Sequence, residues 1–210
     1  TVIPTIGSTS NNSWYFEGNI DEVSVFNTDQ SSNIATLSTA PTVDLTSLNP
    51  IAWYRMGDNG AYKDPQWLIP SNENKDKVSN YSMEFDGVND YIEILPNGLG
   101  SIYAIQEYSI EFWFRTSFNG PYEVLWSYDY TTHVPPYYAQ HIRINTPSDI
   151  TVPNTIDFYT NTNGTALSAL STPNTISLSN STWHHIVVTK TLTTKDIYLD
   201  GINVASGSYV

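Results

Sequence analysis

The chain contains no cysteine and only two methionines in 210 residues. Without thiols it can form no disulfide, no zinc–thiolate centre and no cysteine nucleophile. Its length is sufficient to bury a sizeable core within one all-β domain. We therefore expect the fold to be stabilised by side-chain burial, alone or together with a bound metal.

Basic residues are also scarce. Eight Lys and Arg residues stand against 21 Asp and Glu residues, which gives a formal net charge of −13. Nucleic acids and anionic membranes are bound through basic patches, so this balance argues against both as partners. No apolar run approaches the roughly 20 residues of a membrane-spanning helix. The first residues also lack the basic and apolar segments of a secretory signal.

Aromatic residues, by contrast, are abundant: the chain has 15 Tyr, seven Phe and six Trp. Such residues favour packed β-sheets. Within 108–116, Ile110, Phe112 and Phe114 alternate with more polar residues, which predicts a strand with one buried face. Similar segments recur every roughly eight to fifteen residues between Asn, Gly and Pro turns, as in a sandwich. One short helix is predicted over 29–37.

Five sequence blocks resemble laminin G-like, concanavalin A-like jelly-roll domains. They are Phe85–Ile94, Tyr108–Thr116, Trp183–Lys190, Ile197–Gly201 and Gly18–Phe26. The resemblance implies an all-β, concanavalin A-like jelly-roll sandwich of two antiparallel sheets. The block at 18–26 resembles the last strand of such domains, although here it comes first. The resemblance also implies that the segment Ile51–Met56, which resembles the first strand, lies beside it.

This unusual order predicts how the chain is organised. Residues 1–210 form one jelly-roll unit. Residues 1–38 provide its closing strands and short helix, 39–49 a linker, and 50–210 the opening and central strands. A tandem repeat cut within the domain, or a circular permutation, would give this order. Residues 1–27 complete the sheet of their own chain or of a neighbouring copy. Pairing within the chain is favoured by its higher effective concentration, whereas head-to-tail exchange would build a filament.

The turn Asp86-Gly-Val-Asn-Asp90 is a candidate calcium site, because calcium prefers carboxylate, amide and carbonyl oxygens. Some members of the resembled family hold a calcium near the equivalent turn, and the resemblance adds Asp21 to Asp86 and Asp90 as a ligand. The alternative is an Asx turn, in which the side chains bond only their own backbone.

A second candidate site is a cluster of aromatic residues. It comprises Trp126, Tyr128, Tyr130, Tyr137 and Tyr138. Sugars stack on aromatic rings, and tyrosine supplies a polar handle, so the cluster suits glycan binding. The alternative is that the rings at 126, 128 and 130, which share one face of a strand, fill the core.

No catalytic residues are expected. Some members of the resembled family are glucan hydrolases with paired carboxylates in a Glu-x-Asp-x-(x)-Glu pattern. The most similar segment, Glu17 to Glu22, has a different spacing of its acidic residues. Strand alternation also predicts that Asp21 and Glu22 face opposite sides. The adjacent His184 and His185 are likewise expected on opposite faces, which excludes chelation of one ion by both.

The segment Tyr62–Ser71 resembles sequences common in laminin G-like structural proteins of tailed phages from marine bacteria. Together these features predict a non-enzymatic structural or adhesion module on a virion surface or in the extracellular space. Its partner would be a glycan or copies of itself. The alternatives are an assembly module that forms filaments by strand exchange and, with least support, a carbohydrate-active enzyme.

Overall fold

The computed structural model describes residues 2–9, 14–39, 44–56, 82–94, 107–117, 123–130, 139–144, 155–161, 167–173 and 177–208. Within these ranges lie thirteen strands and one short α-helix. They are β1 Val2–Ile6, β2 Glu17–Phe26, α1 Ile34–Leu37, β3 Ala52–Tyr54, β4 Met83–Asp86, β5 Ile92–Glu93, β6 Tyr108–Arg115, β7 Glu123–Tyr130, β8 Ala139–Ile144, β9 Ile156–Asn161, β10 Leu167–Ser171, β11 His184–Lys190, β12 Thr194–Leu199 and β13 Ile202–Ser208.

The strands form two antiparallel sheets, which confirms the predicted fold class. Sheet I has the order β10-β9-β8-β7-β1-β5. Sheet II has the order β13-β12-β11-β6-β2-β3, and β4 pairs with the other part of β2. The main core lies between the sheets and contains Ile110, Phe112 and Phe114 of β6, each at most 1% exposed. The alternation seen in the sequence therefore identified the buried face of this strand.

The two N-terminal strands pair within their own chain. β1 lies between β7 and β5 in sheet I, with Ile6 opposite Trp126. β2 lies between β6 and the β3 and β4 strands in sheet II. Val23 of β2 is paired with Tyr54 of β3, so the predicted neighbourhood of the segments 20–26 and 51–56 is confirmed. Among the described residues, β1 and β2 thus each have strands of the same chain on both sides.

A second, smaller core covers part of the outer face of sheet II. It is formed by Phe26, Ile34, Leu37, Leu45, Trp53 and Val187. Helix α1 and the 3-10 turns at 31–33 and 45–48 supply its outer wall. The predicted short helix is therefore present, whereas the predicted 39–49 linker contains a helical turn that buries Leu45. Among the described residues, no helix is long and apolar enough to cross a membrane.

A β-bulge in β2 overturns one prediction about side-chain direction. Asp21 is paired with Trp113 and Ser24 with Glu111, so β2 uses one more residue than β6 over this stretch. Glu22 has a φ of +48°. Because a bulge interrupts the two-residue alternation of a strand, Ile20 and Val23 both face the main core. Asp21 and Glu22 lie between them on the outer face, so their predicted placement on opposite faces is wrong.

Candidate functional site

The outer face of sheet II carries a buried polar network beside the bulge. Oε2 of Glu111 lies 2.7 Å from Nε2 of His185, and the hydroxyl of Ser24 donates to Oε1 of Glu111. Glu111 and His185 are 2% and 1% exposed. His184, in contrast, lies 2.9 Å from Asp200 through Nδ1. The two histidines thus have separate partners, as expected for adjacent strand residues.

Glu22 forms a neighbouring cluster on the same face. Nε1–H of Trp53 donates to its Oε2, and Nε of Arg55 donates to its Oε1 at 2.9 Å. The guanidinium of Arg55 also lies 5.1 Å from the Trp53 ring centroid. Burial raises the pKa of Glu22 to about 8, against the lowering effect of Arg55 and Trp53. Arg55 and Trp53 therefore offset only part of the cost of burying an ionised Glu22.

These carboxyl groups do not form an open catalytic pair. Two neighbouring carboxyls with different environments are typical of acid–base catalysis, and Glu22 and Glu111 lie on adjacent strands of one face. However, Glu22 is 3% exposed, and both oxygens of each group accept hydrogen bonds from protein donors. The arrangement orders the sheet surface and offers no carboxylate to a substrate.

Next to this network lies a half-exposed group that we call the tryptophan strip: Asn19, Trp113, Arg115 and Trp183. The ring of Trp113 stands 4.9 Å from that of His185 at an interplanar angle of 38°. Arg115 places its guanidinium 5.3 Å from the ring centroid of Trp183. Nη2 of Arg115 also donates to Oδ1 of Asn19 at 2.9 Å. Two indole rings and a guanidinium are thereby fixed on one surface.

The local backbone explains how the strip is assembled. Asn19 of β2 is paired with Arg115 of β6, so their side chains share the outer face. Gly18 has a φ of +149°, and an ideal Cβ there would lie 2.2 Å from the carbonyl oxygen of Arg115. Only glycine allows this close approach of the two strands. Trp183 lies immediately before β11 and is 38% exposed.

The predicted aromatic cluster is placed differently. Trp126 and Tyr128 are 0% and 2% exposed and belong to the main core. For these two residues the structure supports the alternative that the rings fill the core, because neither ring presents a face to solvent. Tyr130 belongs to β7, but its side chain lies outside the described residues, as do Tyr137 and Tyr138.

The predicted calcium ligands do not converge. Oδ1 of Asp86 accepts the N–H groups of Val88 and Asn89, at 2.8 and 3.3 Å, and Oδ2 of Asp90 accepts the N–H of Asp86 at 3.1 Å. These are the bonds of an Asx turn. In the pairing of β2 with β4, Glu17 is the residue opposite Asp86.

Asp21 lies four residues further along β2, about 13 Å away at the usual rise of a strand. Its Oδ1 accepts the N–H of Glu22 at 2.8 Å. Asp21, Asp86 and Asp90 therefore do not fit one calcium site. In the part of the chain that the structure describes, no three His, Cys, Asp or Glu residues are grouped to hold a metal ion.

The tryptophan strip was not identified from the sequence, although a signal for it exists. Glu111, Trp113 and Arg115 alternate with the buried residues of β6, so they share the opposite face. A large aromatic residue on the polar side of such a strand is a candidate binding residue. The contribution of Trp183 depends on the alignment of β11 with β6, which the chain order alone does not provide.

The element order and the two stacked sheets define a jelly-roll domain of the concanavalin A type. A family model described as the concanavalin A-like lectin/glucanases superfamily, of laminin G type, matches residues 85–210. This match covers more than half of the chain, and the chain belongs to that family.

Among solved structures, the chain is similar to domains LG4-5 of the mouse laminin alpha1 chain, with 14% identity and a TM-score of 0.37. The similarity covers 49% of this chain and 24% of the laminin chain. No curated protein matches the chain.

Proposed function

We propose that the chain is a non-enzymatic adhesion module that binds a glycan on the tryptophan strip. The observation that carries this proposal is the partly exposed indole of Trp183 beside a fixed guanidinium. Sugar rings have apolar faces that stack on indole rings, while their hydroxyls need nearby hydrogen-bonding groups. Arg115 and Asn19 supply such groups next to Trp183. The setting that we propose is a virion surface or the extracellular space.

The strip is supported from beneath by the buried network. Trp113 lies against His185, which is bonded to Glu111, and Glu111 in turn accepts from Ser24. Rings that are ordered before binding lose little conformational entropy when a ligand arrives. A rigid aromatic surface is therefore suited to recognising a repeating, polar polymer.

Two further features shape the proposal. The carboxyl groups of Glu22 and Glu111 are buried and bonded internally, which favours binding over hydrolysis. β1 and β2 pair within their own chain, which supports a self-contained adhesion unit over a filament built by strand exchange. The proposed binding does not depend on a calcium ion held by Asp21, Asp86 and Asp90, because these three described residues do not converge and none of them belongs to the strip.

Trp183→Ala tests the proposal in affinity gel electrophoresis with laminarin, xylan, mannan and alginate embedded in separate gels. We expect the wild-type chain to be retarded by at least one polysaccharide. Loss of a central aromatic contact should weaken that binding by at least about tenfold. Because Trp183 is partly exposed, the free energy of unfolding should change by less than about 1 kcal/mol.

Trp14→Ala is the matched control, because Trp14 is 48% exposed and lies outside the strip. It should leave the retardation unchanged. Equal losses in the two variants, or full binding by Trp183→Ala, would exclude the strip as the glycan site. If none of the four polysaccharides retards the wild-type chain, the proposal fails for these neutral and acidic glycan classes.

A further inference from the structure

The exposed charges of the described residues are all acidic. The five basic residues in these ranges are each buried or half-buried and have a protein partner. They are Arg55 with Glu22, Arg115 with Asn19, Arg143 with Asp157, Lys190 with the carbonyl of Thr191, and Lys195 with the carbonyl of Phe158. Exposed carboxylates, by contrast, include Glu17, Glu84, Asp86 and Glu93. The described surface therefore attracts cations.

Two of these carboxylates, Glu17 and Asp86, lie together where the chain leaves sheet II toward β5. Glu17 begins β2 in sheet II, and residues 87–91 lead from β4 in sheet II to β5 in sheet I. Glu17 is paired with Asp86, the last residue of β4, and the N–H of Phe16 donates to the carbonyl of Gly7 at 2.8 Å. The start of β2 and the turn after β4 are in close contact: an ideal Cβ on Gly87 would lie 2.9 Å from Cβ of Glu17.

We call this surface the crossing rim and define it by its outward residues: Trp14, Glu17, Asp86, Val88, Asp90 and Tyr91. Its three large apolar side chains, at 14, 88 and 91, are 48%, 68% and 40% exposed. The carboxylates of Glu17 and Asp86 are also exposed. Among the described residues, no basic side chain forms an ion pair with any of the three rim carboxylates.

A buried acid lies beside the end of β2 that carries Glu17. Oε1 of Glu123 accepts the N–H of Glu17 at 3.1 Å. Its Oε2 is buried without a hydrogen-bond partner, and the residue is 1% exposed. An unpartnered buried carboxyl oxygen is costly, and here it lies under the strand that carries Glu17. Because burial raises the pKa of Glu123 to about 8, this group is mostly neutral at pH 7, and the negative charge of the rim comes from Glu17, Asp86 and Asp90.

We propose that the crossing rim docks a segment of a polypeptide partner that carries lysine or arginine side chains. Cationic side chains bind carboxylates, and they also bind the faces of exposed Trp and Tyr rings. The rim presents both kinds of group together with an apolar side chain at Val88, which suits the alkyl stems of Lys and Arg. Its carboxylates stand at the start of β2 and on the Asp86–Asp90 turn, so they match several cationic side chains of one segment.

The test uses a fluorescein-labelled decapeptide of alternating lysine and glycine, with a serine–glycine peptide of the same length as the neutral probe. Binding is measured by fluorescence anisotropy. The rim variant is Glu17→Gln/Asp86→Asn/Asp90→Asn. We expect it to bind the lysine peptide at least about tenfold more weakly than the wild-type chain, and the asparagines retain the acceptors of the Asx turn.

The matched control is Asp44→Asn/Glu107→Gln/Asp196→Asn, which removes the same formal charge away from the rim. It should weaken binding by less than about twofold, because distant surface charges are screened. The double variant Trp14→Ala/Tyr91→Ala should weaken binding by about fivefold, the loss expected for cation–π contacts.

Equal losses in the two charge variants would show attraction by net charge alone and would overturn the proposal, as would failure of the wild-type chain to bind. Binding of the serine–glycine peptide at the same strength would also overturn it. The rim variant should still be retarded by the polysaccharide that the tryptophan strip binds. The test of the crossing rim and the test of the tryptophan strip therefore have independent outcomes.

Discussion

Glu111→Ala is expected to lower the free energy of unfolding by about 3–5 kcal/mol, the cost of leaving buried partners of an acid uncompensated. Both carboxylate oxygens of Glu111 are used, one by Ser24 and the other by His185. His185 is 1% exposed, so water does not replace the lost acceptor. Urea denaturation, followed by far-UV circular dichroism, measures the loss.

Glu111→Gln provides the control for this network. It keeps the shape of the side chain and one carbonyl acceptor, so we expect a smaller loss than in the alanine variant. The alanine variant should also weaken glycan binding, because His185 is the support of Trp113. If alanine costs less than about 1 kcal/mol, which is typical of an ordinary surface substitution, the network does not order the sheet face.

The free energy of unfolding is also expected to fall as the pH is raised from about 5 to about 8. Burial raises the pKa of Glu123 to about 8 from an ordinary value of 4.5, more than the N–H of Glu17 lowers it. The folded state thus binds this proton more tightly than the unfolded state. Its contribution to stability is fully present below the unfolded pKa and is lost as the pH rises through the folded pKa.

The slope of this effect approaches about 1.4 kcal/mol per pH unit for each such group. Glu22, whose pKa is also raised to about 8 with the opposing effect of Arg55 included, acts in the same direction, so both groups contribute to the slope. Urea denaturation at pH 5, 6.5 and 8 measures the trend. Glu123→Gln, which has no proton to lose, should show a flatter trend and exceed the wild-type stability at pH 8. An unchanged slope in this variant would assign the pH dependence to other groups.

The strand pattern and the family blocks were accessible from the sequence because they depend on local alternation. Ile110, Phe112 and Phe114 are buried as their spacing predicts, and the block at 18–26 lies beside β3 as the resemblance implies. The residue types of the Asp86–Asp90 turn also indicated its two possible structures, a calcium site or an Asx turn. The Asx bonds that are present use only residues within five positions of one another.

The site residues were harder to predict because they depend on pairing between distant strands. Alternation shows that Trp126 and Tyr128 share a face, yet only the packing of sheet I on sheet II decides that this face is the core. The bulge at Glu22 likewise follows from the registration of β2 against β6. That registration places Asp21 beside Trp113 and away from Asp86, which separates the predicted metal ligands.

The most direct test of the proposed binding surface is a titration of the ¹⁵N-labelled chain with the polysaccharide that retards it most strongly. The six tryptophans give indole N–H signals that can be assigned by single substitutions. We predict that the signals of Trp113 and Trp183 shift in a saturable manner, while those of Trp126 and Trp53 stay in place. Shifts confined to Trp14, or to the buried Trp126, would contradict the assignment of glycan binding to the outer face of sheet II.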